Sequence, residues 1–247
     1  MKTKYFFTAM AFIGAAMTSA SVSAETITVT YNGSADFGAG AVGFQVGATS
    51  PNPDSSSNLV GVEIGGMNFK SNDTSYDFLA TGQFDAWCVD IYHWMNGGTF
   101  TYNVGTESDL ASALASAQRV SDLITLANEV YSLVDTTTES AAFQLAVWTI
   151  AYGTPDASGA YQLSSSDAGF SVDSGTLNSD AGKLANQWLS NLDSAQQLGS
   201  YKLTYLNDGT GNYTQDVIVF SKNVPEPASF ALLGIGLLGL GAFRRKA

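Results

Sequence analysis

The chain has 247 residues, of which 45% are hydrophobic and 13% are charged, so it can build one packed core and is not intrinsically disordered. Its formal net charge of −12 excludes a nucleic-acid binder, which needs a basic surface. One cysteine and one histidine exclude an internal disulfide framework, a cysteine-based zinc cluster and a histidine-rich metal site. We therefore expect no nucleic-acid partner, no metal and no cofactor.

The chain begins with the three parts of a secretory signal peptide. Lys2 and Lys4 precede an apolar run over residues 5–17, and the small residues of Val22-Ser23-Ala24 follow it. This order is typical of a signal peptide that is cleaved during export. A short membrane anchor is the alternative, but the run is shorter than the roughly 20 apolar residues that a span needs. We expect cleavage after Ala24.

The first half of the exported chain shows the patterns of β-strands. The residues that follow the signal peptide are β-branched and alternate, and a later apolar, aromatic run is the strongest strand of this half. Glycines weaken two candidates between them. The turn Asn96-Gly97-Gly98 predicts a hairpin between the aromatic strand and the next one. The predicted strands are residues 26–31, 41–48, 59–69, 84–94 and 99–104.

The middle of the chain changes to a helical period. Apolar residues recur every three or four positions over residues 110–134, which predicts one amphipathic helix of about seven turns. Thr106 with Asp109 would cap this helix at its start. Thr136 with Glu139 has the spacing of a capping box and marks the beginning of a second helix.

The chain returns to strands at its end. The second helix is expected to stop at Gly153, and a third, shorter helix is predicted over residues 180–192. Two strands, residues 201–206 and 213–220, flank the turn residues 207–212 and predict a β-hairpin. The elements together predict an α+β fold: β-sandwich-like sheets from both ends of the chain, with a helical insertion at about residues 106–192.

A second three-part tail closes the chain. Val224-Pro225-Glu226-Pro227 leads into an apolar run over residues 228–243, and Arg244-Arg245-Lys246 follows. At 1.5 Å per residue the run makes a helix of roughly 24 Å, which is short for a hydrocarbon core of roughly 30 Å. It is therefore a short transmembrane helix suited to temporary anchoring in the inner membrane, with its basic end in the cytoplasm.

This tail resembles the PEP-CTERM sorting signal. In that family an exosortase, a membrane-embedded protease of Gram-negative bacteria, recognises and removes the tail, and the protein goes to the cell surface or the extracellular matrix. The resemblance implies an exosortase-type protease as a partner and an inner-membrane-anchored intermediate. A plain single-pass anchor is the alternative. The chain then divides into a signal peptide (1–24), one extracellular domain (25–222) and a sorting signal (223–247).

Two residues inside the predicted domain carry the chemical interest. Cys88 lies on the aromatic strand and would share a face with Ala86 and Asp90. Gln144 is the polar exception in the second helix, which is apolar nearly all round and should be buried. A buried carboxamide must find hydrogen-bond partners or react, since leaving it unpaired costs about 1–3 kcal/mol.

A lone cysteine in an exported protein has three explanations. It is an inert buried thiol, one half of an intermolecular disulfide, or a nucleophile. The third has a definite chemistry beside a buried glutamine: the Cys88 thiolate attacks the Gln144 carboxamide, expels ammonia and leaves an internal thioester. Holding the two groups in position supplies most of the rate by effective concentration.

Two segments resemble the thioester domains of bacterial surface adhesins. They are Trp87-Cys88-Val89-Asp90 and Phe143-Gln144-Leu145-Ala146-Val147-Trp148, in the order that the family shows. The resemblance implies a crosslink between Cys88 and Gln144, with Trp87, Asp90 and Trp148 near it. It also implies a partner that carries an amine, either a surface protein or an exopolysaccharide of the matrix.

These observations leave two functional interpretations. The first is a covalent adhesin-like domain, whose thioester reacts once with a partner's amine and is not an enzyme. The second is a noncovalent structural protein of the extracellular polymer or biofilm matrix, in which Cys88 is inert. His93, five residues from Cys88 on the predicted strand, would face the opposite way and is not expected to pair with the thiol.

Overall fold

The computed structural model describes residues 25–34, 40–46, 60–93, 95, 97–192, 199–208 and 214–223. The predicted signal peptide and the apolar run of the sorting signal lie outside these residues. Within the described ranges no helix is both long and apolar enough to cross a membrane. The strands are β1 (Thr26–Ser34), β2 (Gly40–Val46), β3 (Val60–Ile64), β4 (Met67–Lys70), β5 (Gln83–Cys88), β6 (Thr99–Gly105), β7 (Phe170–Val172), β8 (Tyr201–Asn207) and β9 (Val217–Lys222).

Six strands from both ends of the chain close into a barrel in the order β1-β4-β5-β9-β8-β6. Neighbouring strands are antiparallel. Alternation along β1 turns Ile27 and Val29 into the core, while the Thr28 hydroxyl lies outside and meets that of Thr101 on β6. Aromatic rings such as Phe69 and Tyr102 fill the interior. The remaining strands form a separate sheet of order β3-β2-β7.

The helices lie between β6 and β8 in the sequence. They are α1 (Glu107–Ala113), α2 (Ala117–Val130), α3 (Thr137–Tyr152), α4 (Ser174–Asn178) and α5 (Asp180–Ser190). Helix α3 is buried along nearly its whole length, because it contacts β5 of the barrel on one side, the three-stranded sheet on another, and α2 and α5 besides. A helix with so many neighbours is apolar all round, as the sequence showed.

The mixed α+β composition and the helical insertion are confirmed, but the main sheet is a closed barrel where sandwich-like sheets were expected. The predicted hairpin between residues 84–94 and 99–104 is wrong. Strand β5 pairs with β4 and β9, whereas β6 pairs with β1 and β8. The final hairpin is confirmed, since β8 and β9 pair along their length. Barrel closure depends on pairings distant in sequence, which local turn patterns do not reveal.

Several predicted elements are shorter or broken. The strand expected at residues 59–69 divides at Gly65, whose φ is 140°. The helix expected at residues 110–134 breaks at Ala115, whose φ is 51°, and Ser116 caps the new helix α2. The third helix ends at Ser190, and β7 and α4 before it were missed. Both capping boxes form, at Thr106 and at Thr136.

Candidate functional site

The structure brings Cys88 and Gln144 together. Cys88 is the last residue of β5, and Gln144 lies in the middle of α3. The Cys88 backbone N–H donates to Gln144 Oε1 at 3.0 Å, and Gln144 Nε2 donates to the Cys88 carbonyl oxygen at 2.8 Å. Both residues are buried, with 3% and 1% of their surface exposed. The carboxamide oxygen and nitrogen thus each bond to the backbone of one residue.

Gln144 pairs with Cys88 just beyond the point where the hydrogen bonds between β4 and β5 end. Strands β4 and β5 last pair at Met67 and Ala86, because the chain before β4 bends at Gly65. Alternation points the backbone groups of Cys88 to the same side as those of Ala86, where β4 has already ended. The Gln144 carboxamide, chemically a peptide group, fills that position. One turn earlier on α3, the Ser140 hydroxyl accepts the Gly66 N–H at 2.9 Å and fixes the bend to the same helix.

The thiol itself is protected and protonated. Cys88 Sγ donates to the backbone carbonyl oxygen of Asp90 at 3.1 Å. Burial raises the pKa of the Cys88 thiol, and the Asp90 carboxylate raises it further, against a smaller lowering by the neighbouring Trp148 indole. Exposed, low-pKa cysteines react readily with solutes. This thiol is of the opposite kind, buried and with a raised pKa.

Aromatic side chains hold α3 against β5 around this pair. The Trp87 ring meets the Phe143 ring at 4.6 Å between centroids, and its indole N–H donates to the Tyr131 hydroxyl. The Tyr152 hydroxyl donates to the Val89 carbonyl oxygen at 2.6 Å. Of the residues predicted near the pair, Asp90 and Trp148 interact with the thiol. Trp87 packs instead on the neighbour of Gln144 in α3.

The turn after Cys88 differs from the sequence expectation. Strand β5 ends at Cys88 because the backbone N–H groups of Val89 and Asp90 both donate to the Asp216 carbonyl oxygen, and the chain then turns. The expectation that His93 faces away rested on a strand that continues past it, and no such strand forms. The turn brings His93 Nδ1 into hydrogen-bond contact with the Asp90 carboxylate.

Sequence reasoning missed the residues that other elements bring to this turn. Asp216 precedes β9, and burial raises the pKa of its carboxyl group. Its carboxylate accepts hydrogen bonds from the Tyr205 hydroxyl and the Asp208 backbone N–H. No local motif marks these residues, because they reach the Cys88 turn only through the β5–β9 pairing.

The arrangement of side chains in the described ranges does not favour a metal site. No group of three or more His, Cys, Asp or Glu side chains in the described ranges is arranged to hold a metal ion. At the last hairpin, the Asn207 side-chain oxygen accepts from Asn103, and the Asp208 carboxylate accepts the Thr214 N–H. These contacts are those of a turn.

Comparison with known proteins identifies the tail. The family model for the PEP-CTERM protein-sorting motif matches residues 223–246, a range that contains Val224, Pro225, Glu226, Pro227 and the basic Arg244, Arg245 and Lys246. The chain is therefore an exported protein that an exosortase processes, with a membrane-anchored intermediate before the cell surface or extracellular matrix. No curated protein and no solved structure matches the chain, so the resemblance to adhesin thioester domains rests on the two quoted segments.

Proposed function

We propose that the exported domain is a covalent adhesin-like module of a Gram-negative cell surface. Cys88 and Gln144 form an internal thioester, which an amine of a partner surface protein or matrix exopolysaccharide opens. The observation that carries this proposal is the Gln144 carboxamide held by two hydrogen bonds, at 3.0 and 2.8 Å, on the residue that bears the thiol. The reaction is a single bonding event without turnover.

The contacts around Cys88 and Gln144 support the formation of this thioester. Cys88 Sγ attacks the Gln144 carboxamide carbon, the carbon–nitrogen bond breaks, and Nε2 leaves with the thiol proton as ammonia. Negative charge develops on Oε1, where the Cys88 backbone N–H already donates at 3.0 Å. A donor fixed at this distance stabilises an oxyanion without reorganisation. Burial of both residues keeps water from the product.

Opening by an amine reverses the roles of nitrogen and sulfur. The amine nitrogen bonds to the same carbon, the carbon–sulfur bond breaks, and Cys88 is released as a thiol. The partner is then attached to Gln144 through an amide bond. An amide is more stable to hydrolysis than a thioester, so the attachment is permanent and suits a surface protein that must resist shear.

The second candidate is a noncovalent structural protein of the matrix. A specific observation favours it: Asn186 makes the same pair of hydrogen bonds with the backbone of Leu163, at 2.8 and 3.0 Å, and no thiol is involved there. A carboxamide can therefore hold a backbone segment in this protein without any reaction. In that case Cys88 is an inert core residue.

The intact mass of the secreted, tail-processed protein separates the two candidates. We expect the wild-type mass to fall short of its sequence by one ammonia, when neither reductant nor amine buffer is present. Cys88→Ala and Gln144→Glu should both restore the mass of their own sequences. Asn186→Ala is the matched control and should keep the deficit. A wild-type protein of full mass, with one equivalent of thiol after unfolding, would refute the thioester and leave the structural role.

A further inference from the structure

We propose that a groove beside α5 binds a neutral polysaccharide chain noncovalently, at a site separate from the Cys88–Gln144 pair and independent of the thioester. One part of the groove, of about 510 Å³, runs past Asp156, and the other, of about 400 Å³, runs past Lys183. Three residues line both parts, which therefore form one continuous groove: Gln162, Ser164 and Asn186. Each volume lies within the range of roughly 300–1,000 Å³ that is usual for ligand sites.

Hydrogen bonds within the protein fix the lining of the groove before a ligand arrives. The Asn186 carboxamide holds both backbone groups of Leu163, at 2.8 and 3.0 Å. In the larger part of the groove, the Asp167 carboxylate accepts the N–H groups of Thr154 and Gly169, at 2.9 and 2.6 Å. Little conformational freedom is then lost on binding, and a preformed site binds more tightly for the same contacts.

Several polar groups of the lining are not used by the fold. Gln162 is exposed, and its side chain makes no hydrogen bond with a described residue. The Asp156 side chain accepts three hydrogen bonds, from the Ser158 N–H and hydroxyl and from the Ala160 N–H, and all three go to Oδ1. Lys183 is also exposed and forms no ion pair within the described ranges. A ligand can therefore bond to a carboxamide, the Asp156 Oδ2 oxygen and an ammonium group without breaking a bond of the fold.

The backbone along the groove argues against a peptide ligand. An extended peptide binds by adding a strand to free backbone groups, and a helical peptide needs an apolar groove. Here the Asn186 carboxamide occupies both backbone groups of Leu163, and the Ser164 carbonyl oxygen accepts the Val172 N–H at 3.0 Å. The lining is mainly polar. Recognition must then come from polar side chains, which suits a ligand that presents hydroxyl groups along its length.

The chemistry of the lining selects a neutral chain of sugars. Hydroxyl side chains donate and accept hydrogen bonds, as sugar hydroxyls do, and four of them line the larger part of the groove: Thr154, Ser164, Ser166 and Ser190. The formal net charge of −12 repels a polyanion, and Lys183 at one end of the groove repels a polycation. A neutral polysaccharide meets neither repulsion. The extracellular matrix to which the protein is sorted is where such a chain would be met.

Affinity electrophoresis of the secreted, tail-processed protein tests this site. Native gels that contain dextran, galactomannan or hydroxyethylcellulose present neutral chains, and a gel that contains alginate presents an acidic chain. We expect the wild-type protein to be retarded in at least one neutral gel and to run freely in alginate. Free migration in all three neutral gels, or retardation in alginate alone, would overturn the proposal.

Substitutions in the lining locate the binding to the groove. Gln162→Ala should weaken the retardation by about two- to tenfold, the usual worth of one hydrogen bond, and the double variant Gln162→Ala, Lys183→Ala should abolish it. Gln187→Ala is the matched control, because Gln187 is an exposed glutamine of α5 outside the lining, and it should bind as the wild type does. Wild-type retardation of the double variant would overturn the site. Cys88→Ala should be retarded normally, so that a failed groove and a failed thioester are told apart.

Discussion

Two carboxamide side chains, Gln144 and Asn186, make the same pair of backbone hydrogen bonds in different surroundings. Gln144 on α3 bonds to both backbone groups of Cys88, and Asn186 on α5 bonds to both backbone groups of Leu163, all at 2.8–3.0 Å. In each case a helix side chain bonds to both backbone groups of a residue outside that helix. The hydrogen-bond geometry alone is thus a packing device, and any covalent function must come from the thiol that distinguishes Cys88 from Leu163.

The two sites also differ in their access to water. Gln144 is 1% exposed, because α3 is covered by the barrel and the three-stranded sheet. Asn186 is only partly buried and lines an open groove of about 510 Å³ together with Tyr161 and Asp167. Water can replace a lost hydrogen bond in the groove but not beneath α3. The same substitution should therefore have unequal effects.

The largest predicted effect is the loss of stability on removing the Gln144 carboxamide. In a Cys88→Ala background, where no crosslink can form, Gln144→Ala leaves a buried N–H and a buried carbonyl unpaired. At about 1–3 kcal/mol for each unpaired group, we expect the free energy of unfolding to fall by about 3 kcal/mol or more. Urea denaturation, with midpoint and slope fitted together, measures the change.

Asn186→Ala in the same background is the matched comparison. Water can hydrate the groups it exposes, and alanine favours the helix, so we expect a loss of about 1 kcal/mol or less. Equal losses at the two sites would contradict the difference in burial. They would show that the chain between β3 and β4 moves to pair with Cys88 when Gln144 is gone.

The second prediction concerns the thiol that separates the two sites. Burial, and then the Asp90 carboxylate, raise the pKa of Cys88. A thiol whose pKa is higher in the folded than in the unfolded protein adds to the free energy of unfolding while it stays protonated. This contribution is fully present below the unfolded pKa and is lost as the pH rises through the higher folded pKa. We expect the free thiol, native or released by methylamine, to resist iodoacetamide in the folded protein at the pH where an ordinary thiol, with a pKa of about 8.5, reacts.

Asp90→Asn should speed this alkylation several-fold, since it removes the second cause of the raised pKa. Asp77→Asn, which alters an exposed ion pair elsewhere on the barrel, should not. Alkylation of the folded wild-type protein at the rate of the unfolded chain would contradict the protected state of the thiol.

The sequence pointed to the two residues of the candidate site, Cys88 and Gln144, but not to most of the elements that position them. Gln144 stood out because it is the polar exception in an apolar helix, and burial of a carboxamide has a known cost. Cys88 stood out because it is the single cysteine. The capping boxes at Thr106 and Thr136 were visible because their chemistry is local. These are short-range signals, and the structure confirms the two capping boxes and the burial of Gln144.

What sequence reasoning could not see depends on pairings distant in the chain. The end of β5 at Cys88 is set by Asp216, which lies far along the chain beside β9. Because that end was misplaced, the alternation of a strand was extended to His93, and the contact of His93 with Asp90 was missed. The break at Ala115 was missed for a different reason. The apolar period continues through this residue, and only its left-handed backbone conformation interrupts the helix.

The smallest predicted effect is an absence of reaction, and it tests the comparison most directly. Leu163→Cys places a thiol on the residue whose backbone Asn186 holds. We expect this variant to keep the wild-type deficit of one ammonia and to gain one free thiol, with no second deficit, because Asn186 lines an open groove where water would hydrolyse a thioester. A second deficit would mean that a carboxamide pinned to a cysteine's backbone reacts unaided. The hydrogen-bond pair would then be sufficient for thioester formation, and burial of the two residues would not be required.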